Sequence, residues 1–158
     1  MFTHLNIHSK YSRMRGVNSL REILQKAREM QHSHLALTEV NGLWGFIHFV
    51  QTAREYDIAP VCGANLISDN IDVVLLVESQ KGYANLSRIL SAQHADKGAA
   101  LTLLEKYHEG LFVLSHQERV LEQLYKVIPD SHFFVEVRIG LTERKLLNLA
   151  EKYGLEPV

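Results

Sequence analysis

Cysteine is all but missing from this chain: Cys62 is the only one in 158 residues. A lone thiol cannot build a disulfide framework and excludes every zinc motif made of paired cysteines, which fits a reducing cytoplasm. Charge of one sign is missing too. Seventeen Lys and Arg stand against eighteen Asp and Glu, a formal net charge of −1. No overall field draws in a nucleic-acid backbone, so no direct nucleic-acid binding is expected of the segment. No apolar run approaches the ~20 residues that span a bilayer, and no basic-then-apolar signal segment follows Met1, so no membrane contact is expected. What is present is a 46% hydrophobic composition, enough to build the core of one globular domain.

The hydrophobic pattern alternates between the two secondary-structure periods. His4-Leu5-Asn6-Ile7-His8-Ser9 reads as a strand with Leu5 and Ile7 on one face and His4, Asn6 and His8 on the other. Ser19-Leu20-Arg21-Glu22 carries a capping box, and Leu20, Ile23, Leu24 and Ala27 follow at helical spacing. His34 to Val40 is a second strand, closed by the turn pair Asn41-Gly42, and a second helix runs from Trp44 to Tyr56. Pro60 to Ser68 is a third strand, in which Gly63 signals a bulge or a close backbone approach. Only Asp69-Asn70 separates it from Ile71 to Val77, too few residues for a parallel crossover, so a hairpin is expected.

Helix and strand then alternate again: Lys81 to Gln93 with Tyr83, Leu86, Ile89 and Leu90 buried, and a short helix opened by a capping box at Thr102 and ended near Gly110. After these come strand Leu111 to Leu114, a helix capped by Ser115, strand His132 to Val137, helix Thr142 to Tyr153, and a strand only begun at Leu155 to Val158. This alternation predicts an α/β fold, mostly parallel strands with outer helices, in the form of a partial (βα) barrel. A closed barrel takes about 200 residues or more, so the barrel is expected to be incomplete.

In order and spacing, several short motifs resemble one family. These are His4-Leu5-Asn6-Ile7-His8-Ser9-Lys10-Tyr11-Ser12, Ala36-Leu37-Thr38-Glu39-Val40-Asn41-Gly42-Leu43-Trp44-Gly45, and Ile58-Ala59-Pro60-Val61-Cys62-Gly63-Ala64-Asn65. Val74-Leu75-Leu76-Val77 leading into Gly82-Tyr83-Ala84-Asn85-Leu86, and Glu109-Gly110-Leu111-Phe112-Val113-Leu114-Ser115, extend the match. The chain resembles the PHP (polymerase and histidinol phosphatase) domain in the form found in bacterial DNA polymerase III alpha subunits and error-prone C-family polymerases. The resemblance implies residues 1–158 as one PHP-like domain, the N-terminal segment of a longer chain whose closing Asn-x-Asp-x-His motif lies beyond Val158.

The resemblance also implies a set of metal ligands, and this sequence departs from it. The His-x-His pair falls on Asn6 and His8, the Thr-Asp-His on Thr38-Glu39-Val40, the Glu after the third-strand Gly on Asn65, and a Cys on Gln117. Asn6, Val40 and Gln117 are therefore lost ligand positions. His8 and Glu39 survive, with Asn65, Asp72 and His4 as residual candidates. An amide is a poor ligand for a transition metal, and a stable site needs three or four good donors. The expectation is no cofactor or, failing that, a divalent Zn, Mn or Mg.

The expected role is then support of a replicative polymerase: packing against other domains of the alpha subunit and docking a proofreading exonuclease subunit. The segment alone is expected to be inactive. The alternative is a metal-dependent phosphoesterase or 3′–5′ exonuclease with an altered ligand set. Trp44 reads as an anchor for the second helix, Arg13 and Arg15 as solvated loop charges, and His116, His108 and His94 as capping or surface groups.

Overall fold

The computed structural model describes residues 3–68, 70–95, 98–138, 140 and 142–158. The chain forms two compact units, Met1–Asn65 and Leu66–Val158.

In the first unit, α1 (Leu20–Glu29) starts at Ser19, whose hydroxyl accepts the Glu22 N–H while the Glu22 carboxylate accepts the Ser19 N–H, so the capping box is realised. Strand β1 (His34–Val40) has the bounds its pattern gives, and α2 (Phe46–Glu55) follows from a left-handed Gly45. β1 pairs in parallel with β2 (Ala59–Ser68) from His34↔Ala59 to Val40↔Asn65. The register runs unbroken through Thr38↔Gly63, so Gly63 makes no bulge in this ladder. Leu35 and Leu37 of β1 pack with Leu20, Leu24, Phe49 and Ala53 of the two helices. Five of these six are leucine or phenylalanine, and each full burial is worth about 1.5–3 kcal/mol.

The segment expected as a first strand is irregular. His4 and Ile7 carbonyls accept the N–H groups of Ala36 and Thr38, three positions along one chain against two along the other. A ladder repeats every two residues on both strands, so this one-residue slip prevents regular pairing and breaks the expected alternation of faces.

β2 runs on into the second unit. There β3 (Ile71–Val77) pairs antiparallel with β4 (Leu111–Ser115), β4 pairs parallel with β5 (Phe133–Val135), and β5 with β6 (Glu156–Pro157). The described ladders are thus mostly parallel, as the alternation predicts. Position 69 of the expected hairpin lies outside the described residues.

Helices α3 (Gln80–Ala95), α4 (Ala100–Tyr107), α5 (Glu118–Leu124) and α6 (Glu143–Tyr153) complete the unit. α4 begins two residues before Thr102 and no side chain caps it, so the Thr102 signal falls inside the helix. α3 buries Gly82, Asn85, Leu86 and Ile89 and leaves Tyr83 42% exposed. The inward face is set by Gly82, where a Cβ would lie 1.8 Å from the Gly110 carbonyl oxygen, and Tyr83 turns outward beside it. The strand expected over His132 to Val137 is shortened by a 3₁₀ turn at Asp130–His132. No helix among the described residues is long and apolar enough to cross a membrane.

Candidate functional site

The candidate residues fall into two groups, one in each unit. In the first, Glu39 is the next-to-last residue of β1 and is 1% exposed. Its Oε1 accepts the Ser9 N–H at 3.0 Å and the Ser9 hydroxyl, and its Oε2 accepts the Ser12 hydroxyl. Ser12 Oγ in turn accepts the Val40 N–H at 2.9 Å. The same turn is closed on itself by Ser12 N–H to Ser9 O at 2.9 Å and by Gly16 N–H to Ser12 O at 3.0 Å. Glu39 therefore clamps the loop that leads into α1, and Ser9 and Ser12 are the partners that sequence reasoning missed.

Side-chain alternation separates the other members of this group. Glu39 follows Leu35 and Leu37 onto the helix-covered face of β1, whereas Thr38 and Val40 project from the opposite face. In the ladder Glu39 pairs with Ala64 and Val40 with Asn65. Paired residues share a face, so Asn65 projects with Val40, away from Glu39. Asn6 lies on that side too, its Oδ1 accepting the Thr38 hydroxyl at 2.8 Å.

His4 takes neither position. It is exposed, meets the His32 ring edge-on at 5.2 Å, and lines a cavity with Ile7, Ile23 and Lys26. The expected common face of His4, Asn6 and His8 is lost with the register slip. His8 is half-buried, and its Nδ1 is enclosed with no hydrogen-bond partner.

In the second group, Asp72 stands near the start of β3, and its N–H donates to Gln117 Oε1 at 2.9 Å. The Ser115 hydroxyl donates to the Asp72 carbonyl. Arg138 lies 3.6 Å from the Asp72 carboxylate and 3.0 Å from that of Glu136, which also meets His116 Nδ1 at 3.1 Å. The Asp72 and Glu136 side chains are 19% and 15% exposed. Arg138 and Glu136 were not candidates in sequence. Their only sequence signal was position, just past the end of a parallel strand, where α/β folds gather polar groups.

Among the described residues no three His, Cys, Asp or Glu side chains stand together in a way that could hold a metal ion. Burial pushes the Cys62 thiol up to about 12, which disfavours the thiolate form that nucleophilic attack needs.

A sequence profile of the PHP domain matches residues 4–119. The chain is 36% identical over 94 residues to the error-prone DNA polymerase of Symbiobacterium thermophilum, covering 59% of this chain and 9% of that protein. It is 31% identical over 127 residues to the DNA polymerase III subunit alpha of Bacillus subtilis, covering 75% of this chain and 11% of that protein. It thus spans about a tenth of the length of these curated relatives. A solved structure of a candidate metal-dependent phosphoesterase from Bifidobacterium adolescentis shares the fold, with TM-score 0.61 and 13% identity over 98% of this chain and 85% of that one.

Proposed function

Starting from the fact that the chain belongs to the PHP domain family, we propose that it is a degenerate PHP domain that supports a bacterial DNA polymerase alpha-subunit-like assembly in replication. Its metal-holding positions have been turned over to packing. It works in the cytoplasm as a scaffold, bearing on other domains of such a subunit and docking a proofreading exonuclease subunit.

The observation that carries this reading is the state of Glu39. Both of its oxygens accept from serine hydroxyls or a backbone N–H, three bonds on a group with about four acceptor sites, so a cation there would compete with the bonds that hold the loop. The remaining donors do not fit a transition-metal centre. Asn6 and Asn65 are amides facing away from Glu39, Val40 is apolar, Gln117 is bonded to the Asp72 backbone, and Arg138 already places a positive charge between Asp72 and Glu136. Keeping the packing while losing the chemistry is what a supporting role allows, because the two place separate demands on a fold.

One observation favours a second reading, a metal-dependent phosphoesterase or 3′–5′ exonuclease with an altered ligand set. The enclosed Nδ1 of His8 has no hydrogen-bond partner, and a metal would satisfy it. Zn, Mn and Fe content of the purified protein, measured alongside hydrolysis of a generic phosphodiester, decides between them. Substoichiometric metal and no hydrolysis support the scaffold; stoichiometric metal and hydrolysis, both lost in His8→Ala, overturn it.

A further inference from the structure

The loop that Glu39 clamps presents an unusual surface. Lys10-Tyr11-Ser12-Arg13-Met14-Arg15 holds three cations and no acid, and every residue of it but Ser12 is exposed. No ion pair among the described residues engages Lys10, Arg13 or Arg15. The net charge of −1 averages over this patch and hides it.

Lys10, Tyr11, Arg13, Asn41 and Trp44 line one open cavity of about 680 Å³. Trp44, expected to be a helix anchor, is 51% exposed, and Tyr11 is 39% exposed. Each ring rests on a glycine. A Cβ at Gly42 would lie 2.2 Å from Trp44 Nε1, and one at Gly45 would lie 2.5 Å from the Tyr11 ring. Gly45 also has φ of 72°, a left-handed conformation that favours glycine. Backbone therefore supports one side of each aromatic ring while much of its surface stays open to solvent.

The loop is held as well as exposed. Lys10 N–H donates to Asn18 O at 2.9 Å, and a Cβ at Gly16 would lie 2.1 Å from the Ser9 carbonyl oxygen. Lys10 acts on the Glu22 carboxylate through its charge alone. Two pre-placed π surfaces flanked by cations outside any salt bridge match flat bases joined by phosphates.

We infer that the groove between the Lys10–Arg13 loop and Trp44 binds single-stranded nucleic acid, bases stacking on Tyr11 and Trp44 and phosphates meeting Lys10 and Arg13. Glu39 is a positioning residue for this surface. The inference stands apart from the metal question, since none of the four contact residues is a ligand candidate.

Trp44 is the only tryptophan, so its own fluorescence reports occupancy of the groove. Titration with oligothymidylate and with oligouridylate at low salt should quench it saturably, the tighter of the two identifying DNA or RNA. Tyr11→Ala should weaken binding about tenfold, and so should Trp44→Ala followed by anisotropy of a labelled strand. Tyr11→Phe should preserve it. The double variant Lys10→Gln/Arg13→Gln, whose side chains are solvent-facing and leave the core untouched, should lower the slope of log affinity against log salt by about 1.4, or 0.7 per phosphate contact. No saturable quenching by either strand overturns the inference. So does equal affinity for duplex, or an unchanged salt slope in the double variant.

Discussion

Two acidic arrangements in this molecule are neutralised in different ways, and depth of burial separates them. Glu39, at 1% exposure, is held by two serine hydroxyls and a backbone N–H, and no ion pair among the described residues involves it. Asp72 and Glu136, at 19% and 15% side-chain exposure, share the guanidinium of Arg138, itself 47% exposed. Burying a second charge beside the first adds a desolvation penalty that Coulomb attraction repays only in excellent geometry. Neutral donors satisfy a buried carboxyl without that penalty. Near the surface Arg138 keeps part of its hydration, and an ion pair becomes the cheaper solution. The same fold position, a strand end, thus yields a clamp in one unit and a screened charge cluster in the other.

That contrast predicts unequal sensitivity. Glu39→Ala leaves the Ser9 and Ser12 hydroxyls and the Ser9 N–H without their acceptor and opens a void, and should cost about 3 kcal/mol or more by urea denaturation. A loss below about 1 kcal/mol would break the comparison. Gly82→Ala, which drives a methyl into the Gly110 carbonyl, should cost about 2 kcal/mol; it shows that a mild effect at Arg138 belongs to the cluster and not to a tolerant second unit.

Arg138→Met should cost about 1 kcal/mol, discounted for its exposure. That cost should change with added salt, whereas the cost of Glu39→Ala should be the same in low and high salt. Equal salt dependence of the two would remove the distinction.

The smallest effect is at the start of α1, where Ser19→Ala should cost roughly 0.5–1 kcal/mol. The Glu22 carboxyl is held below its usual range by the Ser19 hydroxyl and then by the Ser19 N–H. The part of the capping contribution that runs through the Glu22 carboxylate is therefore complete above the ordinary glutamate range and fades as pH falls through the lowered value. The stability gap between wild type and Ser19→Ala, compared from neutral to acid pH, should narrow toward the acid end and keep the part that comes from the Glu22 N–H to Ser19 Oγ bond.

Much of the fold was legible because its signals are local. The capping box at Ser19 and the turn pair after Val40 fixed α1 and the end of β1, and the apolar run fixed β3. The failures came where local signals meet longer-range geometry. Residues 4 to 9 alternate like a strand, yet their carbonyls meet Ala36 and Thr38 out of step. The Thr102 motif was overridden by a helix that starts at Ala100. Tyr83 and Trp44 have core-like spacing, yet Gly82 lets the backbone close in beside Tyr83, Gly42 lies against the Trp44 ring, and both rings stay outside.

The site was half legible for the same reason. Glu39 could be singled out as a strand-end acid, but its partners lie 30 and 27 residues earlier, and no pattern in the chain links them. Arg138 was unreadable until β5 set it beside Asp72. Opposite projection of Glu39 and Asn65 follows from the β1–β2 register, which sequence alone does not supply.

The central claim is that the Glu39 carboxyl serves the loop and not a cation. Thermal unfolding of wild type and Glu39→Gln, each titrated with Mn²⁺, tests it through linkage, since a ligand bound only to the folded state raises the midpoint. The wild-type midpoint should stay where it is as Mn²⁺ is added, and the lower Glu39→Gln midpoint should be equally indifferent. A wild-type midpoint that climbs with Mn²⁺, with the climb abolished in Glu39→Gln, would contradict the claim.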